Sequence, residues 1–413
     1  MSNLKRLELG EIPELGETPE KMLAVAIRPE REGDPIKAMQ VEEVPVPSIG
    51  PDECLVMVMG AGVNFNGVWA ARGKPVSVFK MHREPFHIAG SDAAGIVWKV
   101  GSNVRRWKPG DEVVIHCNQS CGQCPECNGL DPLACSEQKI WGYETSWGSF
   151  AQFTRVQAQQ LVPKPKQLGW LEASVYALTY FTAYRMLVDR ANVRPGENVL
   201  IWGASGGLGT FAIQLCKVMG ANPIAIISSE RKAEVARRCG AQMILNRRDF
   251  DIASADERTR LAEIRRMGGA IRRLTGGSDP DVVFEHVGRD TFPASVILAK
   301  RFGRIVICGA TSGYELTFDV RYLWMRQKQI IGSHFANAYE ADRANRLIME
   351  GKIRPFLDRV FPFEKTAEAH ELMASNAHAG KLGIAVQAIL FDEKAERPAG
   401  EVERLAGEQA APA

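Results

Sequence analysis

The 413-residue chain has no apolar run long enough to cross a bilayer, which sets aside a helical membrane protein and a membrane partner. Its opening stretch, MSNLKRLELGEIPELGETPEKM, lacks the apolar core of a secretory signal, so the expected compartment is the cytoplasm. Charge of one sign is also lacking. The formal balance is +2, and no basic stripe interleaved with aromatics occurs, which argues against a nucleic-acid partner. No internal repeat is visible, so a solenoid is not expected. What remains, 45% apolar and 24% charged residues, is the composition of an ordinary globular protein long enough for two domains.

The most informative stretch is VLIWGASGGLGTFAIQLCK, from Val199 to Lys217. Val199 to Trp202 is an apolar run suited to a buried parallel strand. The turn Gly203-Ala204-Ser205-Gly206-Gly207-Leu208-Gly209 follows, and then apolar residues at helical spacing. Strand, glycine turn and helix together predict a dinucleotide site, because glycines let the backbone approach a pyrophosphate at a helix N-terminus. The spacing is G-x-x-G-x-x-G, and a tight turn without a ligand is the plainer alternative. A second apolar run, Pro223 to Ile227, ends in Ser228-Ser229-Glu230-Arg231-Lys232. An NAD site places an acidic residue where Ser228 stands. Small hydroxyls backed by Arg231 and Lys232 suit a 2′-phosphate, so the expected cofactor is NADPH; an ordinary charged surface turn is the alternative. Further strands are predicted at Val282–Phe284 and Arg304–Cys308, with helices between, which makes a doubly wound α/β unit.

Before this unit lie many short strands punctuated by Gly and Pro, which predict a compact β-rich body. They include Met22 to Ile27, Leu55 to Met59 and a hairpin-like pattern ending at Val114. Ala61 to Asn66 reads as a loop, and residues 1 to about 21 as a polar surface segment. Residues 251 to 275 read as irregular, with a basic helix around Arg265 to Leu274. Leu171 to Leu187 reads as one long helix, Leu357 to Phe361 as a strand, and Lys381 to Ala388 as the closing strand of the β body. The tail from about Glu393 is expected to be disordered. Of nine cysteines, five lie between Cys117 and Cys135. Cys121-x2-Cys124-x2-Cys127-x7-Cys135 can supply a closed four-thiolate zinc site that supports folding rather than chemistry. Free thiols in a loop are the alternative. Cys117 falls outside the pattern and reads as a strand residue.

From about residue 20 to 390 the chain resembles the medium-chain dehydrogenase/reductase superfamily. That resemblance implies a GroES-like β-rich catalytic domain, 1–188 with 336–413, carrying a zinc lobe at about 117–136. It also implies a Rossmann NADPH-binding domain at 189–335. The catalytic-zinc ligands of the alcohol dehydrogenases are missing: Ala61 to Asn66 contains no cysteine, and Gly90-Ser91-Asp92 stands where their Gly-His-Glu falls. The stretches NFNGVWAARGKP, HIAGSD, IWGYET, LIWGASGGLG, DVVFEHVGRDTFPAS and RYLWMRQKQIIGSHFAN are similar to crotonyl-CoA (enoyl-CoA) carboxylase/reductases.

This second resemblance implies NADPH-dependent reductive carboxylation of a 2-enoyl-CoA to an alkylmalonyl-CoA, in a homotetramer built as a dimer of dimers. The implied carbon dioxide pocket is Asn66, Tyr143, Glu144 and His334. The implied CoA contacts are Arg321, for phosphate, and Tyr322, for stacking. Plainer readings stand beside these: a turn asparagine, an ion-paired Glu144, a structural histidine, and an Arg321 paired with a neighbour. His286 could border the nicotinamide or only cap its strand. Competing functions are a non-carboxylating enoyl-CoA or acryloyl-CoA reductase and, from another class, a nucleotide-sensing structural protein.

Overall fold

The computed structural model describes residues 5–388, and the expected disordered tail lies outside them. The chain divides into two compact units. The first is 1–178 with 337–349 and 355–413; the second is 179–336 with 350–354. The seam at 178/179 lies ten residues before the position expected from the sequence.

The first unit is built on the strand Glu53–Val63, in which ten of eleven residues are buried. Its near-continuous apolar sequence reflects cover on both faces. It pairs with Ala93–Val100 on one side and, antiparallel, with Lys381–Ala385 from the far end of the chain on the other. Leu382 lies opposite Val63 and Ala385 opposite Gly60. The sheet continues through Glu112–Ile115 to Leu161–Pro163 at one edge and ends at Leu357–Pro362 at the other. A three-stranded sheet of Gln40–Pro45, Lys21–Ile27 and His87–Ile88 completes the body. Residues 1 to about 21 are not merely a surface segment: Leu7 is wholly buried, because an apolar side chain there has the main core beside it.

After Val63 the chain turns directly into the helix Phe65–Arg72, so Asn66 is helical and not in a loop. That helix seats against a second one, Thr366–Ala374, through a missing side chain. A Cβ on Gly67 would lie 2.4 Å from Nε2 of His370. His370 is wholly buried, donates from Nδ1 to the Thr366 carbonyl at 2.7 Å, and packs edge-on against Phe150.

The second unit is a six-stranded parallel sheet in the order Met243–Asn246, Asn222–Ile227, Asn198–Ile201, Val282–Glu285, Arg304–Ile307, Gln329–Gly332. This is the doubly wound architecture expected, with the glycine turn on a central strand. The stretch read as irregular is a helix from Glu257 to Leu274. Asp256 caps it by accepting from the Thr259 N–H at 2.8 Å, and Ile264, Met267, Ala270 and Ile271 form its buried stripe. The predicted helix 171–187 is interrupted: Trp170–Ala173 and Ala177–Tyr184 are separate, and Arg185–Arg190 continues as a π-helical segment. Cys117 lies between the strands Glu112–Ile115 and Asn118–Gln119, not within one.

Two buried imidazoles tie the first unit's stability to pH. Burial lowers the His370 pKa to about 4. Burial, and then the neighbouring His82, lower that of His87 to about 3. An unfolded histidine titrates near 6.5, so below about pH 6.5 the unfolded chain takes up protons that the folded chain refuses. Stability is complete above that value and declines by about 1.4 kcal/mol per pH unit per histidine as pH falls toward the folded pKa values. His370→Gln should flatten the decline between about pH 6.5 and 4. Urea midpoints measured across that range check this, and an unchanged slope would remove His370 as its source.

Candidate active site

In the first unit one expected residue, Asn66, bonds a buried hydroxyl. Ser91, wholly buried, donates to the Trp141 carbonyl at 2.6 Å and accepts from Nδ2 of Asn66 at 2.8 Å. Asn66 is 9% exposed, and its Oδ1 has no hydrogen-bond partner among the described residues. Trp141 opens the turn that carries Tyr143 and Glu144. Gly142 must be glycine there: its φ is +72°, and a Cβ would lie 1.9 Å from the Gly90 carbonyl oxygen. Glu144 folds back on its own turn, accepting through Oε2 from the Ile140 N–H at 2.7 Å. It is half-buried, has no ion pair among the described residues, and borders a polar cavity of about 320 Å³ that also meets His82, Lys139 and Trp147. The Tyr143 hydroxyl donates to the Lys74 carbonyl at 3.3 Å.

Beside Ser91 lies a group that sequence reasoning did not resolve. Asp92 is wholly buried, and its Oδ2 accepts from Nζ of Lys381 at 3.0 Å and from Nδ2 of Asn64 at 2.8 Å. Its Oδ1 accepts from the Leu178 N–H at 2.7 Å. Lys381 also bonds the Asn64 amide oxygen and the Val63 carbonyl. Burial pulls the Lys381 pKa down, and the Asp92 carboxylate opposes that. Asp92 is thus held in an internal ion pair with Lys381.

The four cysteines Cys121, Cys124, Cys127 and Cys135 cluster with all sulfurs within 4.8 Å of one another. None of the four is in a disulfide. The N–H groups of Gln123 and Cys124 point at Cys121 Sγ, each at 3.4 Å, and lower its pKa to about 7. Among the described residues this is the one group of three or more potential ligands with metal-binding geometry.

In the second unit the glycine turn has the expected construction. Gly203 has φ +55°, and a Cβ there would press on the His286 ring at 2.9 Å. His286 Nε2 meets the Trp202 carbonyl oxygen at 3.0 Å, so this ring braces the turn. A Cβ on Gly209 would lie 2.5 Å from Ala204 Cα, so only glycine lets the helix Gly207–Val218 start so close to its strand. Gly206 is the N-cap, and no side chain caps the first turn, where Gly207 and Leu208 lie. Ser205 is buried in the turn.

At the end of the next strand, Ser228 is half-buried, and Ser229 Oγ caps the helix Glu230–Arg238 by accepting from the Lys232 N–H. Parallel pairing sets Ile227 opposite Asn246, which brings Arg247 and Arg248 to the same rim. Burial first, and then the charges of Arg247, Arg248 and Arg231, lower the Lys232 pKa. Arg247 and Arg248 were not identified from sequence, because only the strand pairing makes them neighbours of Lys232.

Three further expected residues belong to this unit. His334 follows the edge strand Gln329–Gly332, stacks edge-on against Phe335 at 4.4 Å, and is turned by Phe335 at φ +43°. Its side chain is exposed, but desolvation by the surrounding protein, and then the Arg185 charge, lower its pKa, which favours the neutral imidazole. Arg321 is exposed and held by Asp319 through bonds at 3.0 Å from Nε and 2.7 Å from Nη2. Tyr322 is half-buried against the unit's apolar core.

Two family models match the chain: an alcohol dehydrogenase GroES-like domain over residues 50–166 and a zinc-binding dehydrogenase domain over 207–350. A crotonyl-CoA carboxylase/reductase of Cereibacter sphaeroides is 53% identical over 92% of this chain and 91% of its own length. The chain belongs to the crotonyl-CoA carboxylase/reductase family. A solved structure of a crotonyl-CoA carboxylase/reductase matches with a TM-score of 0.89 and 51% identity, covering 98% of this chain and 96% of that one. A 2-octenoyl-CoA carboxylase reductase, solved with NADP and 2-octenoyl-CoA, matches with a TM-score of 0.88 and 40% identity, covering 91% and 90%.

Proposed function

We propose that this protein catalyses NADPH-dependent reductive carboxylation of a 2-enoyl-CoA of the crotonyl type to an alkylmalonyl-CoA. The observation that carries the reading is the buried Asn66 amide, anchored on Ser91 beside the Tyr143–Glu144 turn, in a chain of this family. NADPH, when bound, supplies a hydride to the β-carbon of the thioester. The negative charge then delocalises between the α-carbon and the thioester oxygen, and the α-carbon attacks carbon dioxide. If a proton arrives first, the product is the saturated acyl-CoA. Asn66 donates a hydrogen bond to one carbon dioxide oxygen. Glu144, whose Oε1 makes no hydrogen bond among the described residues, is suited to accept from a water held at the other oxygen, and neutral His334 is suited to donate to one. Tyr143 forms an aromatic wall that keeps solvent protons out.

The glycine turn and the open first turn of its helix suit the NADPH pyrophosphate. Ser228, Ser229, Arg231 and Lys232, joined by Arg247 and Arg248, form the cationic rim for the 2′-phosphate. Arg321, oriented by Asp319, meets a CoA phosphate, and Tyr322 lies beside it. The cysteine cluster holds a structural zinc. Four sulfurs at about 2.3 Å from a tetrahedral zinc stand about 3.8 Å apart, and Cys121 and Cys127 are 3.9 Å apart. Exposed Trp324 and Met325 near the open edge strand Gln329–Gly332 support assembly into a homotetramer.

Product analysis by mass spectrometry tests the central reading. Crotonyl-CoA and NADPH with saturating carbon dioxide should give ethylmalonyl-CoA. Butyryl-CoA with and without carbon dioxide would make the protein a plain reductase. The doubly substituted variant Arg247→Ala/Arg248→Ala should raise KM for NADPH on the order of tenfold and leave KM for NADH nearly unchanged; parallel KM values for the two cofactors check the rim. Metal analysis should find one zinc per chain, lost in Cys124→Ser together with several degrees of Tm, and a metal-free wild type of unchanged Tm would remove zinc from the lobe.

A further inference from the structure

A hydroxyl has one proton to give, and this decides the direction of a buried chain in the first unit. Ser91 Oγ stands 2.6 Å from the Trp141 carbonyl oxygen and 2.8 Å from the Asn66 amide. A peptide carbonyl can only accept, so the Ser91 proton goes to Trp141. Ser91 Oγ is then an acceptor toward Asn66, and only the NH2 end of that amide satisfies it. Rotating the amide by half a turn would set Oδ1 against Oγ with no proton between them, where both side chains are buried.

The anchors on both sides are rigid. Trp141 donates its N–H to the Cys117 carbonyl at 2.8 Å and its indole N–H to Thr154 at 3.2 Å. The residue after Ser91 is Asp92, held by Lys381, Asn64 and the Leu178 N–H. Oδ1 of Asn66, without a partner among the described residues, and its second N–H are what the amide presents away from Ser91.

We infer that Ser91 is a positioning residue for carboxylation: it locks the Asn66 amide in one of its two orientations and so fixes which group faces carbon dioxide. This rests on the carboxylase reading above. Carbon dioxide is neutral and its oxygens are weak acceptors, so it is held only where an N–H is presented to it. An amide free to turn offers an oxygen lone pair half of the time, and the carbanionic α-carbon is then left to a proton. Ser91 therefore acts on the partition between carbon dioxide and proton, not on hydride transfer.

The test is the ratio of alkylmalonyl-CoA to saturated acyl-CoA at fixed carbon dioxide, with kcat/KM for NADPH oxidation and Tm measured beside it. Ser91→Ala should lower that ratio roughly tenfold, the worth of one hydrogen bond in the partition, and leave NADPH oxidation close to wild type. Ser91→Cys keeps the size of the side chain but is a weak donor and acceptor, so it should fold and lower the ratio as well. In an Asn66→Ala background, Ser91→Ala should change the ratio no further. A wild-type ratio in both single variants, or an effect of Ser91→Ala that persists without Asn66, would overturn the inference. A wild-type enzyme that yields only saturated acyl-CoA would instead overturn the carboxylase reading on which it stands.

Discussion

The ion pair between Asp92 and Lys381 is the constraint around which the first unit is arranged. Both groups are wholly buried, and such a pair repays its desolvation only when further hydrogen bonds satisfy its remaining protons and lone pairs. Each partner makes three bonds here. Lys381 bonds a carboxylate, an amide oxygen and a main-chain carbonyl, and Asp92 takes the Asn64 amide and the Leu178 N–H besides. Four segments distant in sequence are thereby drawn to one point. The strand Lys381–Ala385 can enter the sheet in one register only, because a slip by one residue would bury the ammonium without partners and turn its side chains over. Segment order and site geometry follow from the same bonds, since Ser91 adjoins Asp92 and Asn66 lies two residues beyond Asn64.

The carboxylase chemistry proposed here needs an environment that withholds protons, and the arrangement serves that end through neutral groups. The ionised pair sits behind the Asn66–Ser91–Trp141 chain, with its charges mutually satisfied. The groups assigned to carbon dioxide are an amide, a phenol, a neutral imidazole and one carboxylate. Arg185 contributes to keeping His334 unprotonated, which removes a ready acid. In the second unit electrostatics works the opposite way. There four cations gather at a strand-end rim, and burial first, then the charges of the three arginines, lower the Lys232 pKa. Such a cluster is costly unless an anion completes it, which is the property wanted of a phosphate-binding rim.

Local chemistry made much of this legible in the one-dimensional string. A glycine turn between an apolar run and a helical pattern announces a strand, a tight turn and a helix, because only glycine can stand where Gly203 and Gly209 do. Four cysteines within fifteen positions announce a cluster, because short loops return to their start. The doubly wound unit followed from the alternation of runs and helices. Misreadings arose where a distant partner supplied the stability. Leu7 is buried by a core the opening segment does not contain. The helix Glu257–Leu274 was obscured by Gly268-Gly269 and dense charge, and is held by its cap and by apolar residues packed against the rest of the unit.

By itself, then, the sequence determined the class of each unit, the cofactor turn, the cysteine cluster and, through its long matching stretches, the family. The tertiary structure alone decided how these residues work. That Asp92 answers Lys381 across 289 positions, and that Arg247 and Arg248 join Lys232, are consequences of strand pairing. That one serine proton sets the direction of Asn66 depends on a carbonyl fifty residues away. Hydrogen-bond direction and burial are properties of neighbours in space, and a linear pattern holds only neighbours along the chain.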